Sequence, residues 1–170
     1  MRRTQLAEGV YWVGAIDWDI RNFHGYTTNR GTTYNAFLIV DEKIALIDTV
    51  KHQFFPEMLR RIKEIINPED IDYIVSNHVE MDHSGSLPMM LQAAPKAELI
   101  TTEKRGEAGL KKHFNIDRKM IPVKEGSTLD LGKRQLAFVP IPMLHWPDSM
   151  VTYCPQDEIL FSSDAFGEHL

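Results

Sequence analysis

Between Asn77 and Gly85 the chain reads Asn77-His78-Val79-Glu80-Met81-Asp82-His83-Ser84-Gly85, which places four potential metal ligands, His78, Glu80, Asp82 and His83, within six residues. The run directly follows Ile71 to Ser76, an apolar stretch that reads as a strand. In chain leaving a strand, alternate side chains point to the same side. His78, Glu80 and Asp82 are therefore expected to converge, with His83 reaching a neighbouring point as the chain turns into a helix. Groups this hydrophilic are rarely gathered between two core elements without a partner that neutralises them. Two further candidates follow other apolar runs: His145 after Pro140 to Leu144, and Asp164 after Ile159 to Ser163. Three strand ends, each offering a ligand, would build a site at one edge of a sheet. Six His and carboxylate ligands exceed what one tetrahedral metal needs, so two metals sharing a carboxylate are implied. Asp164 is the natural bridge, because one carboxylate can give an oxygen to each ion.

The elements that must position these residues are short. Val10 to Ala15, Asn35 to Val40 and Ile44 to Asp48 read as strands, the last two joined by the turn Asp41-Glu42-Lys43. Residues 54 to 66 carry Phe55, Met58, Leu59, Ile62, Ile65 and Ile66, one face of an amphipathic helix that Asn67-Pro68 ends. After the strand at Ile71 to Ser76, the segment Asn77 to Gly85 reads as a polar loop. A helix begins near Ser86 with Pro88 in its first turn, where a missing N–H costs little. A strand over Ala97 to Thr101 and a helix from about Glu103 to His113 follow. Beyond residue 119 only strands are expected: Met120 to Val123, Thr128 to Leu131, Gln135 to Pro140, Met150 to Cys154 and Ile159 to Ser162. Strands, then alternating helix and strand, then strands again predict a layered α/β domain with the sheets inside. A chain that stops at Leu170 is expected to leave one sheet partly uncovered.

Composition narrows the function. The chain of 170 residues suits one domain, with 43% hydrophobic and 25% charged residues, as in globular proteins. Its net charge of −5 argues against a nucleic-acid surface. No run approaches a membrane span, and Met1-Arg2-Arg3 precedes no apolar segment, so a cytoplasmic protein is expected. The single cysteine, Cys154, excludes an intrachain disulfide and reads as a small buried hydrophobe. His52 and His113 read as surface residues, and His169 as no ligand. Asp48, at a strand end, is expected to hold the motif backbone or a ligand histidine by hydrogen bonding.

The motif resembles the H-x-[HE]-x-D-H loop of the metallo-β-lactamase superfamily, with the later His and Asp in the same order. In most hydrolytic members the third position is His; here it is Glu80. An anionic oxygen in place of a neutral nitrogen favours a harder, redox-active metal such as iron over zinc. With Glu80 the chain resembles the flavodiiron proteins, which reduce dioxygen to water or nitric oxide to nitrous oxide. The likeness extends through residues 13–18, 23–25, 31–36, 143–150 and 164–167, and so along essentially the whole chain.

The resemblance implies a metallo-β-lactamase-like αββα sandwich over residues 1–170, incomplete at its C-terminus. It implies that His78, Glu80 and His145 hold one iron, that Asp82 and His83 hold the other, and that Asp164 bridges them. The family adds one more histidine, from a segment beyond position 170, and a flavodoxin-like domain with FMN, for which this chain has no phosphate-cradling loop. It further implies rubredoxin or a similar electron donor and a head-to-tail homodimer. His24, in Phe23-His24-Gly25, is a candidate outer donor or proton source, and Trp146, Met143, Phe23 and Tyr26 are candidates for an apolar wall whose bland alternative is core packing. Two other readings stand beside this one: a di-zinc hydrolase of the same fold, and a fragment inactive without its partner segment.

Overall fold

The computed structural model describes residues 4–166. Seven strands form the larger of two facing sheets, in the order Thr4–Ala7, Val10–Trp12, Phe37–Val40, Ile44–Ile47, Tyr73–Val75, Glu98–Thr102 and Met120–Val123. Neighbours pair antiparallel as far as Ile44–Ile47 and parallel from there on. Parallel neighbours need crossover connections, and the helices Phe55–Lys63, Leu87–Ala93 and Arg105–Phe114 lie in them. The parallel strands are buried on both faces. Leu46, Ile74 and Leu99 point to the helices, while Ala45, Ile47, Val75 and Ile100 point to the second sheet. Burial on both sides is why these strands read as unbroken apolar runs in the sequence.

Helix Phe55–Lys63 carries Pro56 in its first turn, where no intrahelical N–H is called for. Met58 and Ile62, four residues apart on one face, are fully buried with Leu87, Met90 and Leu110 from the other helices. Each such burial stabilises by roughly 1.5–3 kcal/mol. The second sheet is antiparallel, with the order Thr128–Asp130, Gln135–Pro140, Met150–Cys154 and Ile159–Phe161. Its Leu136, Phe138, Met150, Cys154 and Phe161 fill the space between the sheets, and no α-helical residue among those described joins that cluster. On its other face Val139 and Leu160 are 44% and 45% exposed. The layering of helices, sheet and sheet thus matches the expected sandwich.

Three details depart from the sequence reading. The expected strand Val10 to Ala15 breaks at Val13-Gly14. Val10–Trp12 stays in the larger sheet, whereas Ala15–Asp17 pairs with Thr32–Tyr34 in a separate two-stranded sheet. Gly14 permits the crossing, because a Cβ there would run into the Tyr34 carbonyl oxygen. A second small hairpin, Asn22–Phe23 with Tyr26–Thr27, turns at His24-Gly25. The segment Asn77 to Gly85, expected to be loop throughout, contains the helical turn Met81–Ser84.

Candidate metal centre

All six expected ligands lie at one edge of the sheets. His78 and Glu80 follow strand Tyr73–Val75, His145 follows Gln135–Pro140, and Asp164 follows Ile159–Phe161 in the short turn Ser163–Phe166. The expected alternation holds for His78 and Glu80 only. Asp82 and His83 sit instead on the turn Met81–Ser84, which aims them at a second point. The six expected ligands fall into two donor sets, His78, Glu80, His145 and Asp164 in one, Asp82, His83 and Asp164 in the other, and a third set joins His24 to Glu80 and Asp82. Within each, one ligand atom per residue lies within 4.8 Å of all the rest.

Asp164 belongs to both of the first two sets and faces them with different oxygens. Its Oδ1 is 2.8 Å from His83 Nε2, and its Oδ2 is 3.2 Å from His145 Nε2 and 3.9 Å from His78 Nε2. Glu80 Oε2 lies 3.2 Å from His78 Nε2 and 3.6 Å from His145 Nε2. Asp82 is 4% exposed, and its Oδ1 is buried with no hydrogen-bond partner among the described residues. An orphaned carboxylate oxygen is costly unless a cation meets it. The donors therefore fit a pair of metal ions.

The charges of the site are balanced between imidazoles and carboxylates. Burial disfavours the His78 cation, but hydrogen bonds to Asp148 and Glu80 outweigh it and push the pKa up to about 9. Burial likewise opposes the His83 cation, and Asp164 and Asp82 hold its pKa well above the ordinary value. Burial would raise Asp164, yet His83, with the charges of His78 and His145, brings it down to about 2. Without metal the site is thus a lattice of ion pairs, and a metal displaces protons from its histidines on binding.

Two carboxylates support the ligands from behind. Asp148 Oδ2 accepts from His78 Nδ1 at 2.9 Å and from the Val79 backbone N–H at 2.8 Å, leaving His78 Nε2 to face the donor set. Asp48 accepts from the Asn77 backbone N–H at 2.7 Å and from its side-chain amide at 3.1 Å. Of the two partners expected for Asp48, the motif backbone is the one it bonds. The sequence reading gave Asp148 no role; its place three residues beyond His145 was the available signal.

A cavity of about 490 Å³ opens over the donors, lined by Phe23, His24, Tyr26, Glu80, His145, Trp146 and Asp164. Trp146 meets the His78 ring at 5.2 Å between centroids. Met143 is 73% exposed and not among the lining, so it forms neither the wall nor the core. His24 does reach the site, its Nδ1 3.2 Å from Glu80 Oε1. His52 and His113 are exposed and Cys154 is buried, as expected, while His169 lies outside the described residues. No helix among the described residues is long and apolar enough to cross a membrane. A larger cleft of about 720 Å³ lies at the opposite strand ends, around Asp41, Arg134 and Asp157, away from every donor set.

Comparison with known proteins places the chain among described families. Residues 32–170 match the model of the ODP family beta lactamase. The chain is 48% identical over 168 residues to the nitric oxide reductase of Moorella thermoacetica, covering 97% of this chain and 42% of that protein. It is 45% identical over 172 residues to the rubredoxin-oxygen oxidoreductase of Megalodesulfovibrio gigas, covering 100% and 42%. The crystal structure of the flavodiiron protein from Giardia intestinalis superposes with a TM-score of 0.94 at 43% identity, over 99% of this chain and 41% of that one. The chain therefore spans about two fifths of the length of these relatives. Matched over residues 32–170 by that family model and 43–48% identical along nearly its whole length to these proteins, the chain belongs to the ODP family of β-lactamase-like domains found in the flavodiiron proteins.

Proposed function

We propose that residues 1–170 are the di-iron domain of an oxidoreductase that reduces dioxygen to water, nitric oxide to nitrous oxide, or both. The observation that carries this is Asp164, whose two oxygens face two separate donor sets, one of them containing the hard anionic oxygen of Glu80. His78, Glu80 and His145 would hold one iron, Asp82 and His83 the other, with Asp164 between. Iron at both positions would supply electrons to a gas in the cavity, with FMN elsewhere in the whole protein renewing them from a donor such as rubredoxin. A head-to-tail homodimer is the assembly that would bring such a flavin to the site.

The chain's own residues prepare the chemistry. Asp148 fixes the His78 ring so that Nε2 faces inward. Ser163 Oγ lies 3.2 Å from His83 Nδ1 and steadies that ring in the same way. Phe23, Tyr26 and Trp146 line the cavity and limit the water beside the donors. Both gas reductions consume protons, and His24, its side chain 44% exposed with Nδ1 3.2 Å from Glu80 Oε1, can carry a proton from solvent to that oxygen.

The test is metal content per chain after purification without oxygen. About two irons per chain are expected from the two donor sets. Zinc at the same stoichiometry would refute the redox reading in favour of a hydrolase, and little metal of either kind would refute the claim that these six ligands suffice.

A further inference from the structure

The second donor set rests on an element too short to hold itself. Asp82 and His83 both sit on the four-residue turn Met81–Ser84. A lone helical turn is unstable, because it fixes many torsions for few hydrogen bonds. Inside this one, the His83 and Ser84 N–H groups share the Glu80 carbonyl oxygen, at 3.0 and 2.8 Å, and Gly85 N–H donates to Met81 at 2.9 Å. The direction in which the turn aims its two ligands is therefore set by what grips it from outside.

Much of that grip comes from the segment after strand Ile44–Ile47. Asp48 leaves the strand with φ +57°, and the residues behind it run alongside 83–86. Thr49 donates to the His83 carbonyl oxygen twice, from its backbone N–H at 2.7 Å and from its hydroxyl at 2.7 Å. Further along, Ser86 N–H donates to Val50 at 2.9 Å and Ser86 Oγ to Lys51 at 3.1 Å. Ser84 Oγ meets Ser76 Oγ at 3.0 Å and donates to the His78 carbonyl at 2.8 Å. Of these bonds only the pair from Thr49 ends on a ligand of the second set. Thr49 and His83 are both buried, so water is a poor substitute for either bond. The neighbouring Asp48 carboxylate grips the other end of the loop, through Asn77 just before His78.

We propose that Thr49 is a positioning residue for the second metal position. Its hydroxyl fixes the His83 backbone, and with it the directions of the His83 ring and the Asp82 carboxylate. The proposal rests on the di-metal reading above. Two consecutive residues thus serve two ions, Asp48 through Asn77 and Thr49 through His83. The bonds of Thr49 end on a backbone oxygen and not on a donor atom, so it acts through the chain.

Cobalt(II) titration of the metal-free protein against a competing chelator, on the parent, Thr49→Val and Thr49→Ser, tests this. Thr49→Val keeps the shape and the backbone N–H bond but removes the hydroxyl. It is expected to weaken one of the two bound ions roughly tenfold, the low end of the loss when a group behind a metal ligand is removed. The other ion should keep its parent affinity. Thr49→Ser, which retains the hydroxyl, should restore the parent values. In a His83→Ala background, which already lacks the second position, Thr49→Val should change nothing, because two changes acting through one group do not add. Equal weakening of both ions would show a general loss of structure and overturn the proposal. Parent affinity in Thr49→Val, no restoration by Thr49→Ser, or a further loss in the His83→Ala background would overturn it too. Should circular dichroism show Thr49→Val unfolded, Thr49→Ala carries the same comparison. A parent that takes no second ion overturns the di-metal reading itself, and the proposal with it, before any variant is compared.

Discussion

At the residue scale, a histidine is a directed ligand only when one ring nitrogen is fixed, and for His78 that falls to Asp148. The same Asp148 oxygen also accepts from the Val79 N–H, so one carboxylate sets both the imidazole and the backbone that follows it. Asp148→Ala is therefore expected to weaken metal binding in the set of His78, Glu80, His145 and Asp164 by about 10- to 100-fold. Asp148→Asn should weaken it less, because the amide oxygen still accepts one bond. Chelator competition, titrated with each variant, separates the two. The four candidate ligands of the loop were legible in the sequence because they fall within six residues and follow an apolar strand. Asp148 was not, since it acts on a residue 70 positions away and only the packed sheets bring the two together. Asp48 was legible in part: its place at a strand end foretold a supporting role, and the fold decided that Asn77 receives it.

At the scale of elements, the long apolar segments announced themselves and the small hairpins did not. Met120–Val123, Gln135–Pro140 and Met150–Cys154 coincide with the sequence reading, and the helices shift by a few residues at most. Ala15–Asp17, Asn22–Phe23, Tyr26–Thr27 and Thr32–Tyr34 hold two or three residues each, too few to show a period of two. They nevertheless frame His24. Their geometry hinges on Gly31, at φ +99°, where a Cβ would collide with the Asp17 carbonyl oxygen. Asp17 pairs with Thr32, and its Oδ2 accepts from the Tyr34 hydroxyl at 2.8 Å, so a displaced Asp17 unsettles both strands. Gly31→Ala should cost about 2–4 kcal/mol of stability through backbone strain. Urea unfolding with and without metal would show it, and an unchanged midpoint would contradict the strain argument.

Across the whole molecule, the metal donors and the main clamp occupy opposite strand ends. Arg134, just before strand Gln135–Pro140, donates to both Asp157 oxygens and to the Glu8 carbonyl, and Asp41 accepts from its backbone N–H. Turns from both sheets are thereby tied at one pole. The ion pair holds the Arg134 pKa up, and the same guanidinium holds the Asp157 carboxyl below its usual range. Arg134→Met would leave Asp41 and Asp157 without their counter-charge, and a loss of about 1–2 kcal/mol is expected from stranding two half-buried carboxylates. Iron per chain should not change. A fall in iron content would mean that the two poles are coupled, against the separation seen here.

That clamp also governs the chemistry of the chain's one thiol. Cys154 ends the strand whose first residue, Met150, donates its N–H to Asn77 beside the metal donors, so the thiol sits at the far end, 3.2 Å from Asp157 Oδ2. Burial and the neighbouring carboxylate both push its pKa up, and it keeps its proton. Oxidants and stray metal ions attack the thiolate rather than the thiol. The one sulfhydryl of the chain is therefore inert while the sheets stay closed, and an alkylating reagent meets it only in molecules that have opened. Cys154 is in effect an internal counter of unfolding, readable by mass.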